Sequence, residues 1–152
     1  MQARGAKSRR RNPLPFRFRA GQTISMNAQS FSILPGEWAI ARLAAGAPVP
    51  AWAAAPAPFL SVTRTSDELS IVAPAAAVPA GVRAEGGWTV LRLQGPFAFD
   101  QTGILASFAT PLAEAGIGLF ALSTFDTDYV LVKTAHRSAA LAALRAAGHL
   151  LK

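Results

Sequence analysis

The chain has 152 residues, 51% of them hydrophobic, and no cysteine, which allows one globular unit or two very small ones and excludes disulfides, thiolate metal sites and cysteine nucleophiles. The net charge of +7 is confined to residues 1–25, where Arg4, Lys7, Arg9, Arg10, Arg11, Arg17 and Arg19 meet no acid. Residues 26–152 are electrically neutral, so a fold that grips phosphate by charge is not expected, and no apolar run is long enough to span a membrane.

Residues 1–25 combine Pro, Gly and Arg without apolar periodicity and read as a disordered basic arm. Three readings of the arm stand: an upstream extension without structure, an arm for nucleic acid or acidic lipid, and a transit peptide. Nucleic acid enters as a partner only through this arm, and the expected location of the body is cytoplasmic.

After Met26, residues 31–34 read as a strand, Pro35-Gly36 as a turn and residues 37–43 as the returning strand. Residues 44–58 are an Ala/Pro segment in which Pro50 opens a short helix and Trp52 plugs the core. Residues 59–65 and 69–72 are strands around a Ser66-Asp67 turn. Pro74 and Pro79 bracket a short helical or irregular piece. Residues 88–93 alternate, with Trp88 and Val90 facing one way and Thr89, Leu91 and Leu93 the other.

In the second half, residues 97–99 read as a strand and Asp100 as a helix cap. Ile104, Phe108 and Leu112 recur every four residues, which predicts a helix ended by Gly116. Pro111 lies inside it and cannot donate to the Ser107 carbonyl. Residues 117–123 and 129–133 are strands around a Phe125-Asp126-Thr127 turn. A helix over 136–147 has Leu141 and Leu144 inward, and Gly148 precedes a last short strand. The order is β-α-β-β-α-β. The first half repeats it in degraded form, since L-S-V-T-R-T-S-D-E-L-S-I-V (60–72) matches L-S-T-F-D-T-D-Y-V-L-V (122–132).

These phrases carry a resemblance. F-D-Q-T-G-I-L-A-S-F-A-T-P-L-A-E-A-G-I resembles the start of ACT domains. With S-I-L-P-G-E-W-A-I and the two strand-turn-strand phrases, it is similar to small bacterial tandem-ACT proteins and to the ACT modules of animal cytosolic arginine sensors. The resemblance covers residues 29–151 and none of the arm. One departure is Thr102, where many ACT domains carry proline. The resemblance implies an α+β fold of two ferredoxin-like (βαββαβ) ACT domains with antiparallel sheets, at 26–94 and 95–152, the first degraded.

The resemblance further implies a regulatory module that binds an amino acid at a domain or dimer interface, in a homodimer, without catalytic residues, cofactor or metal. The start of a helix presents unpartnered N–H groups to a carboxylate, so Gly103 and Ile104 are expected there. Ser123, Thr124, Asp126 and Asp128 supply acceptors for an ammonium or a cationic side chain. Phe125 is placed to cover the ligand's apolar stem. With acceptors outnumbering side-chain donors, a neutral or basic amino acid is expected. The bland alternatives are a packing role for Gly103, turn roles for Asp67, Glu68, Asp126 and Asp128, and a solvated or interface role for Arg64. His136 and His149 lack companions at metal-ligand spacing. The alternative function is a dimerisation or protein-interaction module with a vestigial site.

Overall fold

A computed structural model describes residues 28–152; the basic arm expected at 1–25 lies outside them. The chain runs through β1 (Ser30–Ile33) and β2 (Trp38–Leu43), a short 3-10 turn at Ala51–Ala54 entered from Pro50, β3 (Ser61–Arg64) and β4 (Leu69–Pro74). After a second 3-10 turn at Ala75–Ala77 come β5 (Ala84–Leu93), α1 (Ile104–Glu114), β6 (Leu119–Ser123), β7 (Asp128–Lys133), α2 (Arg137–Ala146) and β8 (Leu150–Leu151). All eight strands join one sheet, which gives a mixed α+β fold dominated by sheet.

The ten-residue β5 organises that sheet. One edge pairs with β7, from Trp88 opposite Lys133 to Arg92 opposite Tyr129. The other edge is shared: β2 takes Ala84 to Trp88, and β1 takes Leu91 to Leu93. Both are antiparallel to β5, so they run the same way, end to end. The segment from Glu37 is therefore not a strand returning on β1. Pro35-Gly36, with Gly36 at φ 91°, only lets the chain step outward before pairing resumes. Throughout, the Leu34 N–H stays on the Val90 carbonyl at 2.9 Å. Turn residues set a local bend, whereas the long open edge of β5 decides where the backbone groups are satisfied.

From β5 onward the order is β-α-β-β-α-β, but its first strand is β5 and not residues 97–99. The Gly95-Pro96 step ends the ladder, since proline has no N–H to donate, and the Phe97 N–H goes to the Asp126 carbonyl at 2.8 Å. Asp100 is not the helix cap either. That position is Gly103, at φ 81° and without any side-chain cap, a conformation that glycine adopts without steric cost.

Alternation along the strands divides the interior. Leu91, Leu93, Val130 and Val132 pack with Phe31 against Ile104, Phe108 and Leu112 of α1 and Ala140 and Leu144 of α2. On the other face, Val90 and Leu131 meet Trp38, Phe59 and Val72, with Trp88 and Tyr129 beside them. Phe59 stacks on Tyr129 at 4.1 Å. Trp38 is the buried plug, at 1% exposure, while Trp52 is half-buried against Ala41, Leu69 and Ile71.

The six strands β3-β4-β2 and β6-β7-β5 form two matching triplets, all antiparallel, that meet where Trp38 stands opposite Trp88. The two strands that meet there both read W-x-x-x-R-L: W-A-I-A-R-L in β2 and W-T-V-L-R-L within β5. The turns match too. Thr65 N–H donates to the Glu68 carbonyl at 2.9 Å, and Thr124 N–H to the Thr127 carbonyl at 2.8 Å. Each threonine hydroxyl also accepts from the N–H three residues on, at 3.2 and 3.3 Å. The halves differ in their covering, 3-10 turns in the first and full helices in the second.

Candidate functional site

The loop after β5 and the β6–β7 turn enclose a cleft of about 210 Å³. Its walls are Phe97, Ala98, Phe99, Gln101 and Ile104 on one side and residues 123–128 on the other. Of the residues expected from the sequence, Ile104, Ser123, Thr124, Phe125, Asp126 and Asp128 line this one space. Gly103 is not on the wall; it is the N-cap of α1, directly before Ile104.

The turn is rigidly placed. Besides the Thr124–Thr127 bonds, the Thr127 hydroxyl donates to the Leu93 carbonyl at 2.8 Å, and Thr127 is buried. The Asp126 carbonyl accepts from Phe97 N–H across the cleft floor. Gly95 makes that approach possible, because a Cβ there would stand 2.4 Å from the Asp126 carbonyl oxygen. Acceptors dominate the rim. Ser123 Oγ donates to Asp128 Oδ1 at 2.5 Å, and among the described residues neither Asp126 nor Asp128 is in an ion pair. Such a rim attracts a cation or an N–H-rich group.

Two aromatic rings overhang the opening. Phe99 and Phe125 are 80% and 79% exposed, with ring centroids 5.1 Å apart in an edge arrangement. Sequence reading found Phe125 but not Phe99, Phe97, Ala98 or Gln101, because a strand was expected over 97–99. Thr127 is expected in the turn that faces the site, but without a role of its own. Its signal was present in the shared turn: a threonine, then a residue three positions later closing on it.

The remaining polar residues act elsewhere. Asp67 and Glu68 sit at the first-half turn, where Arg42 Nε lies 2.6 Å from Glu68 Oε2 and Nη2 donates to the Asp67 carbonyl at 3.1 Å. Arg64 is exposed and donates to the Ala45 and Ala47 carbonyls. Lys133 lies over the Trp88 ring at 4.4 Å. Its hydrogen bond and its charge hold the Glu85 carboxyl below the usual carboxylate range, outside the cleft. His136 is the N-cap of α2, and His149 is buried in the core. Among the described residues no group of three or more His, Asp or Glu side chains could hold a metal, and no helix is long and apolar enough to cross a membrane.

Comparison with known proteins places this geometry. A family model described as an ACT domain matches residues 83–146, and another, described as an N-terminal domain, matches residues 36–81. A 46-residue stretch is 46% identical to the human protein named cytosolic arginine sensor for mTORC1 subunit 1, covering 30% of this chain and 14% of that protein. The chain thus spans only a small part of the curated relatives it matches. The regulatory subunit of aspartate kinase from Thermus thermophilus shares the fold at a TM-score of 0.52 and 12% identity, over 77% of this chain and 96% of that one. The crystal structure of the Agobacterium tumefaciens protein Atu0741 superimposes with a TM-score of 0.78 at 46% identity, over 82% of this chain and 92% of that one. The chain therefore belongs to the family of Atu0741 and carries an ACT domain over residues 83–146.

Proposed function

We propose that this protein is a regulatory module that binds an amino acid in the cleft between the start of α1 and the β6–β7 turn. One observation carries the reading: residues from two stretches far apart in the chain, the loop into α1 (Phe97, Ala98, Phe99, Gln101 and Ile104) and the β6–β7 turn (residues 123–128), converge on one open space. The start of α1 takes the carboxylate, through the N–H of Ile104 on the cleft wall and that of Gly103 directly before it. Ser123, Thr124, Asp126 and Asp128 receive the ammonium or a basic side chain. Phe125 covers the stem. Likeness to a relative named an arginine sensor supports a basic ligand.

In this reading the two halves are ACT-type units, at 26–94 and 95–152, the first reduced, and β5 of the first stretch also serves as the first strand of the second unit. The module acts in the cytoplasm as a homodimer, without catalysis of its own. A thermal-shift screen against the amino acids tests it, because a ligand bound only by the folded state raises the melting temperature. A rise with a neutral or basic amino acid, lost on Asp128→Asn, is expected. No rise with any of them would favour the dimerisation module with a vestigial site.

A further inference from the structure

The first half shows how this fold satisfies the arginine of its W-x-x-x-R-L strand. Arg42 stands opposite Ser70, one residue beyond the start of β4, and its guanidinium holds the Glu68 carboxylate and the Asp67 carbonyl. Arg92 is its counterpart. It occupies the same place in W-T-V-L-R-L and stands opposite Tyr129, one residue beyond the start of β7. Turn against turn, Asp126 corresponds to Asp67 and Thr127 to Glu68.

The Arg92 side chain makes neither of the contacts that Arg42 makes. The Asp126 carbonyl already accepts from Phe97 N–H at 2.8 Å. Thr127 offers a short hydroxyl where Glu68 offers a carboxylate, and that hydroxyl is committed to the Leu93 carbonyl. Among the described residues the Arg92 side chain takes part in no hydrogen bond or ion pair. It opens instead on a cleft of about 170 Å³ lined with Gly95, Pro96, Asp126 and Thr127. Alternation puts Arg92 on the face of Val90, away from α1, so this cleft lies across the β6–β7 turn from the one proposed for the amino acid, and Asp126 and Thr127 line both.

We propose that the Arg92 cleft is a second, carboxylate-binding site, which receives from outside the chain the group that Glu68 supplies to Arg42. A guanidinium presents a planar fork of donors that matches a carboxylate. Proline and glycine on the wall add no competing side-chain hydrogen-bonding groups. Asp126 is the competing charge at the rim, so affinity is modest and rises when that charge is removed. The carboxylate can belong to a free small molecule or to an acidic side chain of a second copy; the chemistry at Arg92 is the same.

The test is nuclear magnetic resonance on the full chain, following the Arg92 Nε–H and the Gly95 amide while acetate replaces chloride at constant ionic strength. The expected result is a saturable shift of both signals. The Ile104 amide lies on the wall of the other cleft only and reports that site separately. Arg92→Gln should weaken acetate binding, read at Gly95, by about tenfold or more, and Asp126→Asn should tighten it. A shift of Arg92 Nε–H on concentrating the protein without acetate, with a rise in mass by light scattering, would identify a second copy as the carboxylate source. Absence of any saturable shift in both experiments, or an acetate response unchanged by Arg92→Gln, would overturn the site.

Discussion

Pro111 and His149 are joined through one atom, the carbonyl oxygen of Ser107. A proline in the fourth position after Ser107 leaves that carbonyl without its helical donor, and His149 Nε2 lies 3.0 Å from it. The ring's Nδ1 accepts from Gln29 N–H at 3.0 Å, so the hydrogen must sit on Nε2. The Phe108 ring meets the imidazole edge to face at 5.0 Å. The imidazole thus ties α1 to the strand pair β1–β8, and it explains how a buried proline sits in α1 without breaking it.

This relationship predicts a coupling. His149→Phe keeps a ring in the core but leaves the buried Ser107 carbonyl without a donor, at a cost of about 1–3 kcal/mol. In a Pro111→Ala background the helix regains its own N–H at that place, so the same substitution should cost about 1 kcal/mol less. Urea unfolding of the four proteins measures this. Strictly additive losses would show that His149 does not serve the proline's carbonyl.

Gly95→Ala should unseat the β6–β7 turn. The new Cβ would meet the Asp126 carbonyl oxygen at 2.4 Å and Thr127 Cβ at 3.1 Å, both parts of a pinned turn, so the turn must move. A loss of about 1–3 kcal/mol is expected, as for overpacking elsewhere, together with weaker ligand binding. Chemical denaturation and calorimetry on the same variant check both effects.

Much of this was legible in the chain, and the failures share a cause. The Ile104, Phe108 and Leu112 spacing located α1, and the Thr–acid turns located the two hairpins, because each signal is local. The direction of β2 was misread because Pro35-Gly36 reports a bend, whereas its partner is set by the far edge of β5. Residues 97–99 alternate like a strand, yet with Gly95-Pro96 ending the ladder they form a cleft wall. The W-x-x-x-R-L match was visible in the letters, but only the Trp38–Trp88 pairing gives it meaning. Arg92 stayed hidden for the same reason: it reaches the Asp126 turn through the sheet and not through the sequence.

The exposed ring pair should matter to ligand and not to folding. Phe99 is 80% exposed and touches Phe125 edge to face. Phe99→Ala should leave the unfolding midpoint unchanged within error. It should weaken an amino acid with an apolar stem by about threefold to tenfold, in keeping with the value of an aromatic contact. Calorimetry with lysine and with glycine separates the effect, since glycine has no stem to cover and its weaker binding should not change further.

In the proposed amino-acid site the acceptor rim selects against a second negative charge. Asp126 and Asp128 both line it, and Asp128 is held by Ser123 Oγ at 2.5 Å. Titration calorimetry with arginine, lysine and glutamate on the natural sequence and on Asp128→Asn tests it most directly. A basic amino acid is expected to bind, about tenfold or more weaker after the substitution as a charge-assisted bond is lost, and glutamate to bind poorly. Tight glutamate binding, or basic-ligand affinity unchanged in Asp128→Asn, would contradict it.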